Sequence, residues 1–279
     1  MSAISAAEVK SLRDRTNAPM MDCKAALVEA QGDMEKAVEV LRKKNATIQA
    51  KKGARETAEG RIAFHINSDN GLASLIEVRC ESAPVASNES FMTLCADLAA
   101  QVSIANPASV QELLEQPFHK EPGRKVNDRI GDVVGLIREN MKPARFVRLQ
   151  GGAFGSYIHH DGAVGVLLQV EGNPADTSLL RDICMHIAAK SPSAGTREEV
   201  AKDTIEREME IARSQAAATG KPANIVEKIA EGKVKTWFAE NVLLEQPFVK
   251  DDKKMVGDIL KGAGLKFVRF VRYRVGELS

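Results

Sequence analysis

His159 and His160 stand side by side against a predicted turn at Asp161-Gly162, the chain's nearest approach to metal or acid–base chemistry. Neighbours along a strand project to opposite faces, so both rings cannot readily ligate one ion. The pair is expected to divide, one ring packed or hydrogen-bonded and the other in solvent. His186, beside Met185 in a helical stretch, is expected to be a satisfied, partly buried histidine. Cys23, Cys80, Cys95 and Cys184 are widely separated, with no Cys-x-x-Cys pair. That argues against a zinc site and a disulfide framework, and for buried thiols acting as small hydrophobes. Beside Cys80, Glu81 would raise the thiol pKa and blunt its reactivity. There is no Gly-rich phosphate loop of the right spacing, no His-Glu-x-x-His and no Gly-x-Ser-x-Gly. No catalytic residue, metal ligand or cofactor is expected. The chemistry on offer is that of binding.

Two segments suit a partner surface. Met20-Met21-Asp22-Cys23-Lys24 puts soft, adaptable side chains at the start of a helix. The plainer alternative is packing within a small helical unit, which fits one methionine better than two. Glu81-Ser82-Ala83-Pro84-Val85-Ala86-Ser87-Asn88 reads as a loop with an apolar tip between polar residues. Its plain reading is a tight connection capped by Ser87.

The elements that position these residues are set by a duplication. Leu113-Leu114-Glu115-Gln116-Pro117-Phe118 recurs letter for letter at Leu243-Leu244-Glu245-Gln246-Pro247-Phe248. Upstream of each copy lies a pair of strand-like runs, Ile62 to Cys80 around Asn70-Gly71 and Ala153 to Val170 around Asp161-Gly162. Gly71 and Gly162 are 91 positions apart, whereas Pro117 and Pro247 are 130 apart. The second copy therefore holds about 39 extra residues after its first helix. Within them Val200, Ile205, Met209 and Ala212 mark one apolar stripe, and Ile225, Ile229, Val234 and Phe238 another. With Thr219-Gly220-Lys221-Pro222 between, they predict an antiparallel helical hairpin.

The remaining segments follow. Residues 1–45 read as three short helices, the first opened by a Ser5/Glu8 capping box, the second with Pro19 in its first turn and a stop at Gly32, the third capped by Asp33. So small a unit is expected to lean on a neighbour. Residues 46–60, polar and poor in large apolar side chains, read as a mobile linker. Residues 61–150 form the first repeat of the core. The second is split into 151–196 and 242–279 by the hairpin at 197–241. In each, antiparallel strands carry helices on one face, and the fold class is α+β.

At 279 residues, Lys+Arg 39 against Asp+Glu 38 leaves a net charge of +1, with aromatic residues only 4%. A near-neutral chain lacks the clustered cations that phosphate backbones require, so no direct nucleic-acid binding is expected. No apolar run approaches a membrane span. A soluble cytoplasmic protein is the plain reading.

The segments also carry a family likeness. Leu12-Arg13-Asp14-Arg15-Thr16-Asn17-Ala18-Pro19-Met20-Met21-Asp22-Cys23-Lys24-Ala25-Ala26-Leu27 is similar to the opening signature of the bacterial elongation factor Ts family. Glu77-Val78-Arg79-Cys80, Gly155-Ser156-Tyr157-Ile158-His159, Met185-His186-Ile187-Ala188-Ala189, Gly220-Lys221-Pro222 and Gln246-Pro247-Phe248-Val249 resemble its later segments. The resemblance covers essentially the whole chain. It implies a UBA-like three-helix module, a duplicated α+β core and a hairpin insertion. It also implies a guanine-nucleotide exchange factor for elongation factor Tu, which disturbs the partner's phosphate and magnesium site and leaves when GTP binds. Carried over by position, Leu12, Arg13, Met20, Met21 and Lys24 would meet the partner's nucleotide domain. His159, Phe248 and Val249 would hold the core side of the complex. Ser82, Ala83, Pro84 and Val85 fall where the family has Thr-Asp-Phe-Val, its magnesium-dislocating loop. The carboxylate and the ring are both missing here. Two other readings stay open: an elongation factor Tu adaptor that does not drive exchange, and a ribosome- or tRNA-binding accessory protein. Self-association is also left open.

Overall fold

The computed structural model describes residues 4–69 and 71–277, so Asn70 of the expected first turn lies outside the described residues. At the N-terminus the Ser5 hydroxyl accepts the Glu8 N–H at 3.2 Å, while Glu8 takes the Ser5 N–H at 2.7 Å. This capping box opens α1 (Ala6–Thr16). Asn17 ends it at φ 53, a left-handed position that Asn tolerates nearly as Gly does. Pro19 immediately precedes α2 (Met20–Glu29), and the Asp33 side chain caps α3 (Met34–Lys52). Leu12, Cys23, Leu27, Val38 and Leu41 close a small core between the three helices.

Residues 46–52 of the expected linker at 46–60 belong to a helix, because α3 continues to Lys52. Its second half looked like a loop for want of large apolar residues. The partners come from elsewhere in the chain: Ile48 packs on the first-repeat core, and Asn45 and Gln49 donate to Asp132 and Asn127. Helix-favouring Ala, Gln and Lys need no more than that.

The first repeat runs β1 (Glu59–Asn67), β2 (Leu72–Cys80), α4 (Ala83–Ala86), α5 (Glu89–Ala105), α6 (Val110–Glu115), β3 (Pro117–Phe118), β4 (Glu121–Lys125), α7 (Val126–Ile137) and β5 (Met141–Gln150). The second runs β6 (Ala153–Ile158), β7 (Val164–Glu171), α8 (Thr177–Lys190), α9 (Lys202–Ala217), α10 (Ala223–Asn241), β8 (Pro247–Phe248), β9 (Asp251–Met255), α11 (Val256–Gly262) and β10 (Lys266–Arg274). Their main sheets have the same antiparallel layout, β1-β2-β5 and β6-β7-β10. The fold class is α+β. Alternate residues divide each central strand between two cores. Ala73, Leu75 and Leu167 meet between the sheets with Ile62, Leu149 and Phe154. Ile76, Val78 and Cys80 instead face α5 and α7, as Val166, Leu168 and Val170 face α8 and α11. Covered on both faces, β2 and β7 read as almost unbroken apolar runs. Glu77 is fully buried, held by Arg79 (2.8 Å), Arg145 (2.7 Å) and the Gly276 N–H (3.0 Å). Arg145 also donates to the Arg274 carbonyl at 3.0 Å, which ties β5 to β10.

The repeated hexapeptide forms the corner before each two-stranded ribbon. Leu113, Phe118, Leu243 and Phe248 are buried. The Gln116 carbonyl accepts the Val126 N–H at 3.0 Å, and Gln246 does the same for Val256 at 3.1 Å. One side chain from the preceding helix locks each corner. Gln101 donates to Gln116 Oε1 (3.2 Å) and accepts the His119 N–H (2.8 Å). His186 stands in that role in the second repeat, bonded to Gln246 Oε1 (2.8 Å) and accepting the Val249 N–H (3.2 Å). These bonds put the His186 proton on Nε2, in a neutral ring that is completely buried rather than partly so.

α9 and α10 pack antiparallel through Ala212, Ala230, Val234 and Phe238. Ile225, expected on the apolar face, is exposed in the first turn of α10. The hairpin leaves and re-enters the core at one place: the Ser193 N–H donates to the Asn241 carbonyl at 2.9 Å, and Leu243 to Ala194 at 2.9 Å.

Candidate functional site

The thiols and imidazoles do not assemble into a reactive centre. All four cysteines are buried and unpaired. Burial, more than the neighbouring Glu139 and Glu81, pushes the Cys80 thiol up to about 12. The His159 and His160 rings lie edge to face with centroids 4.3 Å apart. The strand rule does not apply to them, because β6 ends at Ile158 and both belong to the turn. His159 shares a 3.1 Å hydrogen bond with the Tyr157 hydroxyl, and His160 is exposed. Among the described residues no group of three or more His, Cys, Asp or Glu could hold a metal ion.

On α2, the residues Cys23, Ala26 and Leu27 face the module core. Helical spacing then turns Met20, Met21, Lys24 and Val28 outward. Met20 is 52% exposed, Met21 72% and Val28 59%. Val28 extends the Met20-Lys24 row by one more i+4 step, a spacing the sequence reading missed. Arg13 is exposed on α1. Leu12, expected at the same surface, is 0% exposed and sits in the module core. It is the inward residue of α1 beside the outward Arg13. Asp22, next to the methionines, bonds Lys44 at 2.7 Å and Arg138 of the corner after α7.

The 82–85 segment is one helical turn rather than a loop. Ala83 and Pro84 form its exposed tip, whereas Val85 is buried in the first-repeat core. Val85 is therefore a support for the tip and not a surface residue. Ser82 donates its hydroxyl and its N–H to Glu139, at 2.7 and 3.1 Å. Asn88, not Ser87, caps α5, through the N–H groups of Ser90 and Phe91. On the other flank of α4, Arg61 donates to the Ala86 carbonyl at 3.4 Å. The Arg61 side chain also lies against Gly162, where a Cβ would come within 2.6 Å of the guanidinium. The Ile62 N–H donates to the Gly162 carbonyl at 2.9 Å. Arg61 and Ile62 thus bring the His159-His160 turn beside α4, although about 75 residues separate them in the chain.

Phe248 and Val249 part company. Phe248 is 6% exposed, with its ring 5.8 Å from that of His186. It is core, because the hexapeptide corner turns it under α8. Val249 is 40% exposed, and on the neighbouring strand Met255, 39% exposed, pairs with Pro247. Met255 adds an apolar residue to this ribbon that sequence spacing did not single out. No helix among the described residues is long and apolar enough to cross a membrane.

The geometry therefore gives an exposed methionine row, a proline-tipped turn and a histidine turn, all fixed on packed elements. Comparison with known proteins adds a family. The family model described as "Elongation factor TS" matches residues 84–277. An elongation factor Ts from Thioalkalivibrio sulfidiphilus is 42% identical over 276 residues, 98% of this chain and 92% of that protein. One from Thiobacillus denitrificans is 44% identical over 278 residues, 99% and 93% of the two chains. A third, from Trichlorobacter lovleyi, is 39% identical over 290 residues, again 99% and 93%.

Proposed function

The chain belongs to the elongation factor Ts family, and from that premise we propose that it is a guanine-nucleotide exchange factor for elongation factor Tu. The work needs no bond to be made or broken by the factor. It needs a surface that binds the nucleotide-free partner better than the GDP-bound one, so that factor and nucleotide weaken each other reciprocally. Accelerating release a thousandfold takes roughly 4 kcal/mol, within reach of a few differential contacts. Arg13, Met20, Met21 and Lys24 would meet the nucleotide domain, with Leu12 beneath them. The Ala83-Pro84 tip would press near the phosphate and magnesium site, backed by Ser82 and Val85. His159 and Val249 would hold the core side, the latter shaped by Phe248 below.

The observation that carries this reading is the pair of exposed methionines on a helix packed into the module core, in a chain of this family. Unbranched thioethers adapt to a partner surface that changes shape during exchange. Labelled-GDP release from elongation factor Tu, followed by stopped flow, tests it. The parent protein should speed release, and Met20→Ala with Met21→Ala should cut that acceleration by about tenfold or more. Unaltered release with the parent would sink the proposal.

A second reading is favoured by one feature. Pro84 is smaller than the family's Phe and carries no ring, and no carboxylate stands beside it. An adaptor that binds elongation factor Tu without driving exchange would show capture in a pull-down with no gain in GDP release. The accessory RNA-binding reading fits the net charge of +1 poorly.

A further inference from the structure

We propose that Arg138 and Glu139 are positioning residues that hold the α2 surface and the α4 tip at one fixed spacing, so that both bear on the partner as a single unit. The proposal rests on the exchange reading above. α7 ends at Ile137, and the next three residues reach α2, the connection from β2 to α4 and the chain just after α3. Arg138 bonds Asp22, one residue from Met21. Glu139 receives the hydroxyl and N–H of Ser82, the residue before α4. Asn140, buried, donates its N–H to Glu81 at 2.5 Å and its side chain to the Arg55 carbonyl at 2.8 Å. These directions diverge because Arg138 is left-handed, at φ 67, which turns the chain sharply between helix and strand.

These bonds tie α2 and the start of α4 directly to the corner, beside the α3–α7 seam that also joins module and core. The Ser82 hydroxyl makes no cap bond to α4. Its bond to Glu139 ties the turn to the α7–β5 corner instead. The N-terminal module meets the core through α3, by the polar pairs Asn45–Asp132 and Gln49–Asn127 and by Ile48 against the first-repeat core. Beside that seam lies a cleft of about 820 Å³ lined by Asp14, Arg42, Asp97, Lys120, Arg124 and Arg129, among others. Among the described residues, Asp22–Arg138 is the tie between module and core that lies nearest the methionines. The pair is part-exposed and its loss should barely move stability. Its loss should matter for position, since small misplacements are costly when groups must act together.

Arg138→Gly separates the two effects. Glycine suits the left-handed corner, so the fold is kept and only the guanidinium is lost. Spin labels on Val28→Cys and Ser87→Cys, both exposed sites in a chain whose own cysteines are buried, report the spacing without the partner. The parent should give a narrow distance distribution. Arg138→Gly should broaden it at unchanged melting temperature and lower exchange efficiency roughly tenfold, with Arg138→Lys recovering part of both. If Arg138→Gly fails to fold, Asp22→Asn weakens the same pair from the module side. Unchanged distances, or broadened distances with unchanged exchange, would overturn the positioning role. A parent protein that leaves GDP release unaltered would overturn the exchange reading instead, while the distances still report whether the tie fixes the spacing.

Discussion

His186 and Gln101 occupy equivalent places in the two repeats and lock the same corner, one with an imidazole and the other with an amide. Only the imidazole titrates. Burial holds His186 below its ordinary pKa of 6.5, so the unfolded chain binds the proton first. Its contribution to stability is complete above about pH 6.5 and is lost as pH falls below that value. His186→Gln, copying the first repeat, should leave stability near neutral pH almost unchanged and flatten the loss towards pH 5.5. One proton's share amounts to at most about 1.4 kcal/mol per pH unit. Urea unfolding at both pH values measures it. Some slope should remain, since burial also lowers His65 and His119. At this scale the sequence was legible in part. Met20 and Met21 stood out by type, and both are exposed. Leu12, Val85 and Phe248 were assigned by position in a family pattern, which says nothing of the side a residue faces. Each is buried.

Elements were readable wherever local chemistry sufficed, as at the Ser5/Glu8 box, the Asp33 cap and the apolar spacing of α5. They were unreadable where a distant partner supplied the reason. α3 runs on past residue 45 because α7 offers a notch to receive it. The Cβ of an alanine at Gly135 would lie 2.1 Å from Asn45 Oδ1, and one at Gly131 2.8 Å from Gln49 Oε1. Gly135→Ala should therefore displace the Asn45 amide and break its bond to Asp132, since the methyl group would take its place. Overpacking of this kind costs about 1–3 kcal/mol. Hydrogen exchange should show faster amide exchange along α3 with the β-sheets unchanged. Equal protection of α3 in parent and variant would mean that the seam gives way without cost.

On the scale of the whole molecule, the two repeats share one plan, and only the second is interrupted. The apolar cluster of α9 and α10 is separate from the cores beneath the sheets. Their ends meet through hydrogen bonds of residues 193 and 194 with 241 and 243. Replacing residues 197–240 by a short turn, as the first repeat already does without them, should leave a folded core. The loss of the exposed Arg197–Glu245 pair should cost no more than about 1 kcal/mol. Circular dichroism on heating would check this, and loss of cooperative melting would show that the hairpin is structural. The repeated hexapeptide, with its unequal offsets, was enough to reveal duplication and insertion, because register along a chain is itself a linear property. Local spacing likewise gave the helices and the hairpins, and residue type the two methionines. What the linear order could not contain was which surfaces lie together. Arg61 at the α4 flank beside Gly162, and the Arg138-Glu139-Asn140 corner, join segments far apart in sequence through bonds that no periodicity encodes. The first was decided only when the two sheets packed face to face, and the second only when α3 and the helical side of β2 packed against α7.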